Sequence, residues 1–131
     1  MGERLFAAVV PPQHVVDELS FWVDPRRDDA WRWLDPSSWH VTLSFYEDVE
    51  PWRYETLVER LTAAASRTVA FPLAFRSVGC FASVEKAHVL FAATDDPTAT
   101  LPDLAERCHN AATTSGIEVG RQKFHPHMTL A

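Results

Sequence analysis

The sequence predicts an α+β domain, and three observations carry that prediction. Apolar residues change period along the chain, from helical spacing in some segments to strict alternation in others. The alternating stretch, Trp39 to Tyr46, has one greasy face and one polar face, as an antiparallel sheet lining a cleft would have. One tetrapeptide pattern, His-x-Thr-Leu, occurs twice, 87 residues apart. That separation suits two similar halves, each contributing a strand to a shared cleft.

The elements follow in order. Arg4 to Val10 is a short apolar run stopped by Pro11 and Pro12, and reads as a buried strand. Pro12 to Asp24 carries Val15, Val16, Leu19, Trp22 and Val23 as one helical stripe. Pro25 to Asp29 is a charged turn, Trp31 to Leu34 a short strand, and Asp35-Pro36-Ser37-Ser38 the turn that closes it. From Trp39 to Tyr46, parity puts Trp39, Val41, Leu43 and Phe45 inward; His40, Thr42, Ser44 and Tyr46 take the polar face. A helix from Trp52 to about Thr68 is introduced by Pro51 and striped by Tyr54, Leu57, Val58, Leu61 and Ala65. Phe71 to Val78 and His88 to Thr94 are strands joined through Gly79 and a loop. Asp96-Pro97 supplies the N-cap and first position of a third helix, with Leu101, Leu104, Ala105, Cys108 and Ala112 inward and an end near Gly116. Lys123 to Ala131 is the last strand. An ending within a strand is what a domain cut short at its C-terminus would show, so residues 1–131 read as one truncated domain.

Composition narrows the function. At 131 residues, 47% hydrophobic and 23% charged, the chain suits one globular unit rather than a disordered segment. No apolar run is long enough to span a bilayer or form a signal-peptide core, and Phe6 breaks the myristoylation pattern. The expectation is a cytoplasmic protein without membrane attachment. A formal charge of −6 argues against wrapping duplex DNA, which takes a basic face. A pocket for one phosphate is still open to it, because a few local donors outweigh a screened distant charge. Cys80 and Cys108 form no CxxC pair and read as buried free thiols.

The repeat itself carries the chemistry. Composition alone would produce about 0.04 His-x-Thr-Leu tetrapeptides in such a chain, and two are present, at His40-Val41-Thr42-Leu43 and His127-Met128-Thr129-Leu130. On a strand, residues two apart share a face, so each histidine projects beside its own threonine while Val41 or Met128 anchors the strand. Two such strands side by side present two imidazoles and two hydroxyls to one small volume. Imidazoles titrate near neutrality, so one can take a proton while the other gives one. Threonine hydroxyls are neutral donors suited to a non-bridging phosphate oxygen. With no strong nucleophile in the set, direct attack by water is the economical route. His125 shares the parity of His127 and Thr129 and could approach the phosphate or ribose; Arg121 and Lys123 could steer an anion, or be solvated surface. Ser44 and Arg76 are open in the same way. His-Pro-His could supply two metal ligands, but the further ligands that zinc needs are not at readable spacing.

With these residues the sequence resembles the two-histidine (2H) phosphoesterases, and within them the LigT-like RNA 2′,3′-cyclic phosphodiesterases, historically called 2′-5′ RNA ligases. Arg4-Leu5-Phe6-Ala7-Ala8-Val9 with Pro11-Pro12 looks like the family's opening strand. Arg32-Trp33 through His40-Val41-Thr42-Leu43 looks like its first signature. Gly79-Cys80-Phe81 and His88-Val89-Leu90-Phe91 match its central hairpin, and Phe124-His125-Pro126-His127-Met128-Thr129-Leu130-Ala131 its second signature. His88 stands where the family often has arginine, and Phe45-Tyr46-Glu47-Asp48 replaces a more usual Phe-Leu-Gly-Glu. The resemblance implies a two-lobed α+β fold, a pseudo-twofold arrangement of antiparallel sheets with flanking helices and a central cleft. It implies hydrolysis of a 2′,3′-cyclic phosphate, at RNA 3′ ends or in cyclic nucleotides, to a 2′-phosphomonoester. The expected catalytic residues are His40, Thr42, His127 and Thr129, and the expected substrate contacts are His125, Arg121, Ser44 and His88. No metal or other cofactor is expected, and the protein is expected to act as a monomer. The alternatives are a module that binds RNA ends or nucleotides with little turnover, 2′-5′ ligation as the reverse reaction, and metal-dependent hydrolysis.

Overall fold

The structure is a computed structural model that describes residues 2–28, 30–83, 86–120 and 123–131, without the side chains of residues 81–88. Among the described residues, five strands and three α-helices follow in the order β1 (Glu3–Val9), α1 (Gln13–Val23), β2 (Val41–Val49), α2 (Tyr54–Ser66), β3 (Ala74–Ser83), β4 (Lys86–Asp95), α3 (Thr100–Thr114) and β5 (His127–Thr129). The α+β class is therefore as expected. The described strands form one antiparallel sheet in the order β1-β2-β5-β4-β3, so the two halves of the chain share a sheet and meet where β2 pairs with β5.

All three helices cover the same face. Leu5, Ala7 and Val9 alternate along β1, and Leu5 and Ala7 pack with α2 and α3 around Tyr46, Leu57, Leu61 and Ala112. Val9 touches both the α3 cluster of Leu101, Ala105 and Cys108 and the α1 cluster. In the latter, Val16, Leu19, Trp22 and Val23 of α1 meet Trp39, Val41, Ala92, Met128 and Leu130. Burying these side chains, Trp39 and Met128 among them, at about 1.5–3 kcal/mol for a large apolar group, holds the helices to the sheet. The opposite face of the sheet bears the site.

Several local differences have physical causes. Trp31–Leu34 is not a strand; Leu34 donates its N–H to the Leu130 carbonyl at 2.9 Å and the segment borders the sheet without joining its ladder. Residues 51–53 form a single 3₁₀ turn before α2, whose buried stripe is the narrower Leu57 and Ala64, with Tyr54 and Val58 exposed. Helix α3 begins three residues after the expected first position, Pro97: Ala99 takes a left-handed φ of 53°, and Asp96 Oδ2 accepts the Leu101 N–H from five residues back at 2.8 Å. The β3–β4 hairpin is longer than expected and places Gly79 inside β3, opposite Phe91. Cys108 is buried, as expected, but Cys80 is exposed on β3.

The most consequential difference lies in β2. Ala8 pairs with Thr42 but Ala7 pairs with Ser44, so Leu43 is an extra residue in the ladder, a β-bulge that reverses parity beyond it. Simple alternation therefore holds for Trp39 to Leu43 and fails from Ser44 on. Ser44 and Tyr46 turn to the helices, only 8% and 1% exposed, and Phe45, expected inward, turns to the open face.

Candidate active site

The pairing of Val41 with Met128 sets the site. Both side chains are wholly buried on the helix face, so their neighbours project from the open face. Antiparallel register then puts His40 opposite Thr129 and Thr42 opposite His127. The four Cβ atoms form a small rectangle, about 5 Å across the strands, with the histidines on its diagonal about 7–8 Å apart. The arrangement has a local twofold relation: each histidine has its own threonine along the strand and the other motif's threonine across it. All four residues are half-buried.

The same local device orients both imidazoles. His40 Nδ1 lies 2.7 Å from the Ser38 carbonyl oxygen, and His127 Nδ1 lies 2.6 Å from the His125 carbonyl oxygen. A carbonyl only accepts, so the proton sits on Nδ1 in both rings, and Nε2 is the nitrogen that gains and loses one. Aromatic neighbours then fix the rings in different ways. His40 stacks on Phe6, centroids 4.8 Å apart at 28°. His127 meets Phe91 edge-on at 5.4 Å and 65°, and His125 at 5.7 Å and 61°. Phe91 can lie there because β3 has glycine beneath it: a Cβ on Gly79 would come within 2.8 Å of Phe91 Cζ.

His40, Thr42, His127 and Thr129 are thus brought together, and His125 joins them although it precedes β5 instead of lying on it. Ser44 does not join: the bulge at Leu43 turns it to the helix face, which removes it from the substrate contacts expected of it. Arg121 and the His88 side chain lie outside the described residues. Arg76 is spent on Asp95, which accepts from its Nε. Among the described residues, no three His, Cys, Asp or Glu side chains cluster as metal ligands, and no helix is long and apolar enough to cross a membrane. Sequence reasoning missed Phe6, Phe45 and Phe91 as ring neighbours of the site. Phe6 was legible only as part of an apolar run, and the bulge that presents Phe45 leaves no mark in the residue pattern.

The family model described as LigT like Phosphoesterase matches residues 9–91. An RNA 2′,3′-cyclic phosphodiesterase of Bacillus subtilis (strain 168) is 30% identical over 100 residues, 76% of this chain and 54% of that protein. One from Geobacillus stearothermophilus is 28% identical over 99 residues, 76% of this chain and 31% of that protein. The chain spans about half the length, or less, of these curated relatives. Among solved structures, E. coli LigT in apo form superposes with a TM-score of 0.77 at 23% identity, covering 98% of this chain and 70% of that one. A protein of Thermus thermophilus does so with 0.79 at 24%, covering 97% and 72%. At such identity the likeness is one of fold. The matched segment runs over more than half of the chain, from the end of β1 through the first His-x-Thr-Leu to Phe91, and the chain belongs to the LigT-like phosphoesterase family.

Proposed function

We propose that this chain hydrolyses the 2′,3′-cyclic phosphate of RNA 3′ ends or of nucleotides to a 2′-phosphomonoester, with no metal. The observation that supports the reading is the β2–β5 register, which puts two Nδ1-tethered histidines on the diagonal of the four-residue cluster. In-line displacement needs its base and its acid on opposite sides of phosphorus, and the diagonal supplies that. In the proposed step, His127 Nε2 takes a proton from water as the water oxygen bonds to phosphorus. The bond from phosphorus to the 3′ oxygen breaks, and His40 Nε2 delivers its proton to that oxygen. The 2′ ester bond is kept. Thr42 and Thr129 donate to the non-bridging oxygens as charge builds on them. The face of Phe6 against His40 suits the ring that enters as a cation, because a π face attracts one. His125 stands beside His127 as a further donor to phosphate or ribose.

The relatives named RNA 2′,3′-cyclic phosphodiesterase support this reading, as does a complex of E. coli LigT with 3′-AMP. All four corners of the cluster come from one chain, which supports a monomer; the reading keeps it with its RNA in the cytoplasm. The test is phosphorus NMR of a 2′,3′-cyclic nucleotide incubated with the protein and excess chelator, with His40→Ala and His127→Ala alongside. A 2′-phosphate formed by wild type alone is expected. Turnover that stops with chelator would replace this mechanism by a metal-dependent one, and tight 2′-phosphate binding without turnover would make the chain a binding module.

A further inference from the structure

The two Nδ1 tethers are built differently, and the difference begins one residue before each histidine. Between His125 and His127 stands Pro126, whose ring holds its own φ covalently. Between Ser38 and His40 stands Trp39, which takes a φ of −67°, inside the range of proline, with no ring to hold it there. The Ser38 carbonyl is placed instead by a single 3₁₀ turn, Pro36–Ser38. Asp35 caps that turn: its Oδ1 accepts from the Ser37 N–H at 2.9 Å and from the Ser37 hydroxyl at 2.7 Å. The Asp35 carbonyl accepts the Ser38 N–H at 2.8 Å, so one residue holds both serines. The turn is anchored at both ends. Leu34, just before it, donates to the carbonyl of Leu130, the last residue of the second His-x-Thr-Leu, and Trp39, just after it, is buried in the α1 cluster. Asp35, Ser37 and Ser38 are themselves exposed, so the cap covers no core.

We infer that Asp35 is a positioning residue for His40: by capping the turn it keeps the Ser38 carbonyl on Nδ1 and so presents Nε2 to the cluster. The kinetic consequence rests on the proposed phosphodiesterase reading; the effect on the ring does not. The Ser37 hydroxyl, and after it the Ser37 N–H, hold the Asp35 carboxyl below its ordinary value, so the cap stays charged through the range in which histidines ordinarily titrate. Without the cap the turn frays, the Ser38 carbonyl leaves Nδ1, and the neutral ring is free to carry its hydrogen on Nε2 instead. His127 has its own carbonyl and its own proline, so Asp35 acts on one histidine of the pair and leaves the other as an internal control.

The experiment uses Asp35→Ala, which removes the cap, and Asp35→Asn, whose side-chain oxygen still accepts from the Ser37 N–H. Thermal melts establish that each variant is folded. Nitrogen-15 NMR of the imidazoles, at a pH where both rings are neutral, reads the two tautomers. In wild type both histidines are expected to carry Nδ1–H. In Asp35→Ala, His40 alone is expected to shift toward Nε2–H, and kcat for 2′,3′-cyclic AMP to fall about three- to tenfold with KM little changed. Asp35→Asn should restore both. A His40 tautomer that does not move in Asp35→Ala would overturn the inference. So would an equal shift of His127, which marks a general loosening of the sheet, or a shifted His40 with kcat unmoved. If wild type turns over no cyclic nucleotide, the hydrolase reading fails, and the tautomers still decide the part of Asp35.

Discussion

At the scale of single residues, the site depends on where protons and rings are held. Both histidines give their Nδ1 hydrogen to a carbonyl two residues back in the chain, so the repeated tetrapeptide brings a repeated tautomer with it. Replacing either with alanine is expected to cost about 10²–10⁴ in kcat. The double variant should be far less impaired than the product of the two losses, because the proposed mechanism uses both in one step; steady-state rates on a cyclic nucleotide check this. Gly79 has a quieter part. Its missing Cβ makes room for the Phe91 ring that meets His127 and His125 edge-on. Gly79→Ala should lower kcat several-fold with little change in KM, and destabilise the fold by about 1–3 kcal/mol through overpacking. Kinetics together with urea unfolding measure both effects, and an unmoved kcat would show that the ring does not position His127.

At the scale of elements, the helices are tied to the sheet and to each other by a few polar bonds among the apolar contacts. Tyr46, turned inward by the bulge, donates its hydroxyl to the Cys108 carbonyl of α3 at 2.9 Å. Burial pushes its phenol up to about 12 from the ordinary 10. A raised folded-state pKa means that the neutral phenol's stabilisation is complete below about pH 10 and is lost as pH climbs through 12. Tyr46→Phe should therefore be less stable than wild type by about 1 kcal/mol at pH 8, and the gap should narrow above pH 10; denaturant unfolding from pH 8 to 12 tests this. At the end of α3, Gly116 has a φ of 80°, and the Arg53 guanidinium sits where a Cβ would go while donating to the Ser115 carbonyl at 2.7 Å. Gly116→Ala strains the backbone and displaces Arg53, at about 1–3 kcal/mol. A lowered Tm with unchanged kcat is the expected signature, since this corner lies on the helix side of the sheet.

At the scale of the whole molecule, one sheet face is packed under helices and the other, open face bears the candidate site. Helix α1 covers the Val9–Val41–Met128–Ala92 row, and the alternate residues of the same strands carry the histidine cluster. The site is therefore as rigid as the core behind it, and no loop has to close for its four corners to meet. In the proposed step two imidazoles act together, one entering neutral and one charged, which predicts a bell-shaped rate profile. Initial rates from pH 5 to 8 read it directly, and a flat profile would rule out the two-histidine scheme.

The sequence by itself determined the class of the fold, most of the elements and the four residues of the cluster. Periodicity marks which side chains a segment buries, and a doubled His-x-Thr-Leu is too improbable for composition to produce. The stripe of α3 and the inward Trp39, Val41 and Met128 followed from spacing alone. What only the tertiary structure decided depends on partners distant in the chain. Register sets the histidines on a diagonal, because which residue faces which across two strands is fixed by the packing of both. The bulge at Leu43 moves Ser44 away from the site and Phe45 toward it, because one extra residue in a ladder inverts every side chain beyond it without altering the local pattern. The ring contacts of Phe6 and Phe91 exist because β1 and β4 flank the β2–β5 pair, an order that no local spacing encodes.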